Sequence, residues 1–239
     1  MTEREDNLPI KLYRYRGLEP FEYVADIICN NRFHTARFDE LNDAMEGLFE
    51  AGPLVERDFL QQIREAKRQT RICAFSRTPK CPVLWAHYAD GFKGLCIEIE
   101  VSPSEARSWR VTDGDVRICI RNILFTSVEY SSLANTVHTM ADVDDVCNMP
   151  NLLLERKGRD WALEEEVRAF SDDDFIHCGD GVRITRILLG VNMPPTMERV
   201  IRRITSTDVP VCKTKIHTWD EIELDETTPL GDDAWEVTG

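Results

Sequence analysis

Glu164, Glu166 and Arg168 stand at alternate positions in the run Trp161-Ala162-Leu163-Glu164-Glu165-Glu166-Val167-Arg168-Ala169-Phe170. Read as a strand, the run puts Glu164, Glu166, Arg168 and Phe170 on one face and Glu165, Val167 and Ala169 on the other. Same-face neighbours along a strand lie about 6.5–7 Å apart, so two carboxylates and a guanidinium would line one wall. Such a row can grip a hydroxyl-rich ligand and stabilise a positive centre. It can equally be the solvated charged face of an edge strand, and the run alone leaves both readings open.

Other residues could contribute chemistry. Leu84-Trp85-Ala86-His87-Tyr88-Ala89-Asp90 packs Trp, His and Tyr into two helical turns, with Trp85 and Tyr88 three apart. A stripe of this kind either belongs to a core or holds a planar ring by stacking with a polar rim. His87 and Asp90 are spaced to pair, which would orient the imidazole. Asp39, Asp43 and Glu46 form an acidic cluster that could take a divalent cation, although metal-binding loops usually add Gly or further oxygen ligands at tight spacing. No G-x-S-x-G, G-x-G-x-x-G or Walker A sequence occurs, which argues against an α/β-hydrolase, a Rossmann site and a P-loop.

The elements that must position these residues follow from periodicity. Lys11–Arg16 alternates as a first strand, with Tyr13 and Tyr15 on one side and Arg14 and Arg16 on the other. A helix is expected from Pro20 to Asn30-Asn31, a short strand over 33–36, and a helix from Leu54 to Gln69. Arg71–Ser76 reads as a buried strand, Val83–Asp90 as a helix behind Pro82, and Leu95–Val101 as an alternating strand. Ser104–Trp109 is expected as a short helix, 116–130 as one or two strands, and Leu152–Asp160 as a helix leading into the Glu-x-Glu strand. Ile184–Leu189 and Val209–His217 complete the strands, with a helix over Pro194–Thr205 between them.

The 239 residues, 42% hydrophobic, suffice for a packed core. The expected architecture is α+β: a single domain over 11–219 with mixed central β-sheets and flanking helices, a charged arm at 1–10 and an acidic tail at 220–239. Eight cysteines (Cys29, Cys73, Cys81, Cys96, Cys119, Cys147, Cys178 and Cys212) form no CxxC pair, so reduced, mostly buried thiols are expected and no metal. The charged start carries no apolar leader and no membrane-length apolar run occurs, so a cytoplasmic protein without a membrane partner is expected. The net charge of −14 argues against non-specific nucleic-acid binding.

These blocks together resemble the bacterial family catalogued as domain of unknown function 2971. The resemblance rests on Leu12-Tyr13-Arg14-Tyr15-Arg16, Leu41-Asn42-Asp43-Ala44-Met45-Glu46, Cys73-Ala74-Phe75-Ser76 and the block from Leu84 to Ile97. It continues with Val128 and Tyr130, then Lys157, Trp161, Glu164, Glu166 and Arg168, and spans about residues 12–190. Ala44 stands where the family has a loop proline, and Phe92 where it has a histidine.

The motif order also resembles, more distantly, ADP-ribosyltransferases of the Arg–Ser–Glu type. That resemblance implies an ADP-ribosyltransferase-like fold and NAD as substrate, with Arg14 or Arg16 on the diphosphate and Phe75-Ser76 in the aromatic-Ser segment. Glu166 would be the catalytic carboxylate, Glu164 would position the acceptor, Trp85 or Tyr88 would stack on the nicotinamide, and His87 and Arg168 would complete the site. The implied function is an NAD-using transferase or NAD glycohydrolase acting on a protein or nucleic-acid acceptor, in the setting of a toxin or phage-defence effector. The alternatives are a catalytically silent nucleotide- or protein-binding module of the same fold and, third, a metal-dependent nuclease.

Overall fold

The computed structural model describes residues 8–41, 47, 49–53, 55–112, 115–132, 135–137, 153–179, 181–218 and 221–225. In chain order the elements are β1 (Ile10–Arg16), α1 (Phe21–Asn30), β2 (Arg32–His34), β3 (Ala36–Arg37), β4 (Phe49–Ala51), α2 (Arg57–Gln69), β5 (Arg71–Ser76), α3 (Pro82–Tyr88) and β6 (Leu95–Val101). Then come β7 (Ala106–Val111), β8 (Val116–Ile120), β9 (Ile123–Ser127), β10 (Glu129–Ser131), β11 (Asn135–Val137), β12 (Arg156–Gly158) and β13 (Glu166–Ser171). The chain continues through β14 (Phe175–His177), β15 (Val182–Leu189), α4 (Pro195–Ile204), β16 (Val211–Thr218) and β17 (Glu221–Asp225). The result is α+β, as expected.

The chain packs into two compact units, each assembled from separated stretches. The first holds 1–10, 32–77 and 102–181, and the second 11–31, 78–101 and 182–239. The stretches interleave, so each unit is closed by contacts between distant segments and no single junction in the sequence separates them.

In the first unit the sheet runs β5-β13-β9-β8-β7, and the two-residue β3 also pairs antiparallel with β5. β13 lies between β5 and β9, antiparallel to both, and all six of its residues are buried. Its Val167 and Ala169 share a face with Phe75 and Phe125, and Phe75 packs edge-on against Phe33 at 5.5 Å between centroids. On the opposite face Phe170 joins Ile72 and Leu154 in a second apolar cluster. Phe59 and Ile63 of α2 pack with Val55 and Leu153. Burying large apolar side chains on both faces is what makes a central strand stable. Two short parallel pairs, β10-β12 and β4-β11, and the antiparallel pair β2-β14 complete this unit.

In the second unit the strand order is β17-β16-β15-β6-β1. β15 and β16 run parallel and are joined through α4, a β-α-β crossover, while β15 pairs antiparallel with β6. Tyr13, Tyr15, Cys96 and Leu188 pack with Leu84, Trp85 and Ala89 of the α3 region. Gly94 and Gly190 permit close approach of backbone segments there. A Cβ at Gly94 would fall 2.2 Å from the Arg16 carbonyl oxygen, and one at Gly190 2.1 Å from that of Phe92.

Several sequence expectations need correction. Ser104–Trp109 is no helix: after a 3₁₀ turn at Pro103–Glu105 the chain enters strand β7, paired with β8. Most of Leu152–Asp160 forms β12 and the start of a 3₁₀ helix (Arg159–Glu164), because Arg156–Gly158 pair in parallel with Glu129–Ser131. The stretch after Asp220 begins with β17, paired to β16, where a tail was expected. Asp43 and Glu46 lie outside the described residues, as do Cys147 and the rest of the tail. No helix among the described residues is long and apolar enough to cross a membrane.

Candidate functional site

The site is built where the 3₁₀ helix 159–164 meets β13. Glu164 is the last residue of that helix and Glu166 the first of the strand. The expectation that both belong to one strand is therefore corrected. Glu165 between them adopts a left-handed conformation (φ 44°), uncommon for a residue with a side chain. That turn leaves Glu165 exposed while both neighbours are buried. The ladder fixes the rest: the Glu165 carbonyl accepts from the Arg77 N–H at 3.0 Å, and the Glu166 carbonyl from the Val128 N–H at 2.9 Å.

Glu166 and Ser76 are direct cross-strand partners in the β5-β13 ladder, and both are buried. The Glu166 carboxylate accepts from Arg168 Nε at 2.8 Å and from Lys157 Nζ at 3.1 Å. The same Lys157 ammonium donates to Glu164 at 2.6 Å. Arg168 also donates to the Leu154 carbonyl, tying β13 to the segment that covers it. The Tyr130 hydroxyl oxygen accepts from the Glu166 backbone N–H at 2.7 Å, and Trp161 places its ring 4.8 Å from the Lys157 ammonium. Lys157, Glu164, Glu166 and Arg168 side chains are each no more than 7% exposed. Two carboxylates and two cations thus form a buried, electrically balanced cluster. Among the described residues no buried side-chain nitrogen or oxygen lacks a partner.

The electrostatics follow from this arrangement. Burial alone would raise the Glu166 carboxyl, but the Arg168 guanidinium and then the Lys157 ammonium outweigh it and hold the group well below the ordinary carboxylate range. Burial, reinforced by the Glu166 and Glu164 charges, pushes the Tyr130 phenol up. Glu166 is therefore ionised at neutral pH and poorly suited to accept a proton. Its chemical capacity is electrostatic, to stabilise positive charge.

The face expected to line a cleft is covered by the chain's own residues 153–164, so the Glu-x-Glu strand is neither a cleft wall nor a solvated edge. Ser76, Glu164, Glu166 and Arg168 are brought together. Arg14, Arg16, Trp85, His87 and Tyr88 all belong to the second unit. There Arg14 and Arg16 are half-buried on the face opposite Tyr13 and Tyr15, and the Arg16 guanidinium lies 4.9 Å from the Tyr23 ring centroid. Trp85 is fully buried, stacked on Phe92 at 5.8 Å and met edge-on by Tyr15 at 5.3 Å, and its indole N–H donates to the Pro79 carbonyl. A ring so enclosed is a core residue, which corrects its expected role as a stacking platform. Tyr88 is partly buried against the same core, and His87 is exposed.

Lys157, Tyr130 and Trp161 are the site residues that sequence reasoning left out of the candidate set. The signal was present: Lys157 and Trp161 precede Glu164 in the same motif, and Lys157 is the only lysine near it. Of the acidic cluster only Asp39 is described, and the described residues contain no group of three or more His, Cys, Asp or Glu placed to hold a metal ion.

No protein-family model, no curated protein and no solved structure matches the chain. The two resemblances therefore rest on the sequence motifs alone.

Proposed function

We propose that the first unit carries an NAD-cleaving site of the transferase or glycohydrolase kind, centred on Ser76 and Glu166. One observation carries this reading. The Phe75-Ser76 segment and the Glu-x-Glu segment, far apart in the chain, are antiparallel neighbours with Ser76 directly opposite Glu166. The adjacency puts the serine and the carboxylate, the last two elements of the Arg–Ser–Glu motif order, side by side.

In such a reaction the C1′–N bond between ribose and nicotinamide breaks, and its electron pair leaves with the nicotinamide nitrogen. Positive charge develops on the ribosyl centre. An ionised Glu166 stabilises that charge, with Ser76 and Glu164 positioned beside it. Water or an acceptor nucleophile then bonds to C1′ and releases its proton to solvent. The low proton affinity of Glu166 suits an electrostatic role better than general-base work.

The test is incubation of the full chain with NAD and quantification of free nicotinamide, with and without mixed protein and nucleic-acid acceptors. Time-dependent release that is lost in Glu166→Gln and reduced in Ser76→Ala is expected. Absence of release by the wild type under every acceptor condition overturns the enzyme reading.

The closure of the cluster favours a second reading, a nucleotide- or protein-binding module, since both carboxylates already have partners. That reading expects nucleotide to raise the unfolding temperature without turnover.

A further inference from the structure

The Lys157 ammonium occupies the position beside Glu164 and Glu166 in which a cationic reaction centre would have to be stabilised. It lies 2.6 Å from one carboxylate and 3.1 Å from the other. A carboxylate pair already neutralised at contact distance has little attraction left for a second cation, because the two cations compete for the same oxygens. The two resident cations differ in how they are held. Arg168 sits within the central strand β13, 1% exposed, and is also bound to the Leu154 carbonyl. Lys157 sits on the three-residue strand β12, whose partner β10 is equally short, and it reaches the carboxylates through a long flexible stem. Beside it the 3₁₀ helix presents Trp161, 38% exposed, and Leu163, 45% exposed, so the cover over the ammonium is the outermost layer of the unit.

We infer that Lys157 is an autoinhibitory latch: a tethered cation that holds Glu164 and Glu166 neutralised and must withdraw before they can serve a cationic centre. This rests on the proposed NAD-cleaving site and adds its control. The Trp161 face beside the ammonium then becomes available to the incoming cation, because aromatic faces attract ammonium and pyridinium groups alike. Removing Lys157 leaves two buried carboxylates with Arg168, an excess of negative charge that the fold tolerates poorly and that a small ammonium of the right length relieves.

The test uses Lys157→Met and Lys157→Ala in the full chain, with n-propylammonium, which matches the side chain deleted in the alanine variant. Both variants are expected to release nicotinamide from NAD at least tenfold faster than wild type. Propylammonium is expected to slow the alanine variant back toward the wild-type rate, with sodium chloride at equal ionic strength having no such effect. A purely structural lysine would give the opposite, slower release on removal and faster release on amine addition, and that result overturns the latch while leaving the NAD reading intact.

Thermal unfolding gives a readout free of catalysis. Saturable stabilisation of Lys157→Ala by propylammonium, absent from Lys157→Ala with Glu164→Gln, is expected. Equal shifts in both overturn the latch. If the alanine variant is unfolded alone, propylammonium is expected to restore its far-ultraviolet circular dichroism, and failure to do so also overturns it. Stabilisation without nicotinamide release by any variant removes the NAD reading, and the latch with it, while leaving the ammonium site.

Discussion

Each unit buries a carboxylate on a strand, and the two are held differently. In the second unit Glu98 of β6 accepts from Arg186 at 2.7 Å, Thr185 at 2.9 Å and Lys11 at 3.1 Å, and Tyr13 bonds to it as well. All these partners come from the adjacent strands β1 and β15. A register shift between Ile184 and Arg186 lets consecutive residues Thr185 and Arg186 both reach the carboxylate. Around Glu166, Arg168 belongs to the same central strand, whereas Lys157 comes from the short β10-β12 pair and Glu164 from the 3₁₀ helix. The strands that carry the Glu98 partners are long members of the sheet, whereas Lys157 sits in a pair of three-residue strands. The difference marks Glu98 as a fastener between strands and Glu166 as a group whose surroundings can change.

The largest expected effect separates the two clusters by stability. Glu166→Gln leaves Arg168 and Lys157 under-neutralised in a buried place, and breaking a buried pair costs about 3–5 kcal/mol. Glu98→Gln should cost less, about 1–3 kcal/mol, since its cationic partners Lys11 and Arg186, 49% and 17% exposed, are more open to water than Lys157 and Arg168. Denaturant unfolding measures both, and equal losses would break the comparison.

Acid titration comes next. Glu166 and Glu98 both have folded-state affinities for protons below their unfolded values. Burial opposes this shift at Glu98, and hydrogen bonds from Arg186, Thr185 and Lys11 overcome it. Their stabilisation is present above the unfolded carboxylate range, near pH 4.3 for Glu, and is lost as pH falls through the lower folded-state values. Wild type should therefore lose stability steeply below about pH 4, and Glu166→Gln should flatten that slope more than Glu98→Gln.

Thr185→Val removes one hydrogen bond to Glu98 and should cost about 0.5–1.5 kcal/mol in the same unfolding assay. The smallest effect has the opposite pH sign. Burial raises the Glu155 carboxyl, with Arg117 only partly offsetting it. Its contribution is fully present below the unfolded value and is lost as pH rises through the folded one. The stability advantage of wild type over Glu155→Gln should therefore be greater at pH 4 than at pH 7.

Local pattern made much of this legible. Arg71–Ser76 and Leu95–Val101 match β5 and β6 residue for residue, and the Asn31 terminus of α1 adopts the left-handed conformation expected of a helix-ending Asn. The pairing of Glu164 with Glu166 was visible as spacing, but the left-handed turn at Glu165 was not, since nothing in Glu-Glu-Glu demands it. Lys157 was visible as a motif residue without a role, because its role comes from β12 pairing with β10, a contact between distant segments. Trp85 shows the converse: its aromatic neighbours on α3 suggest a platform, and only the packing of Tyr15 and Phe92 reveals a core residue.

Nicotinamide release from NAD by Glu166→Gln and Glu98→Gln, each compared with wild type at a temperature where all three are folded, tests the central claim most directly. The account expects release to be abolished in Glu166→Gln and largely retained in Glu98→Gln. Equal release by the two variants, or the loss of release in Glu98→Gln alone, would contradict it.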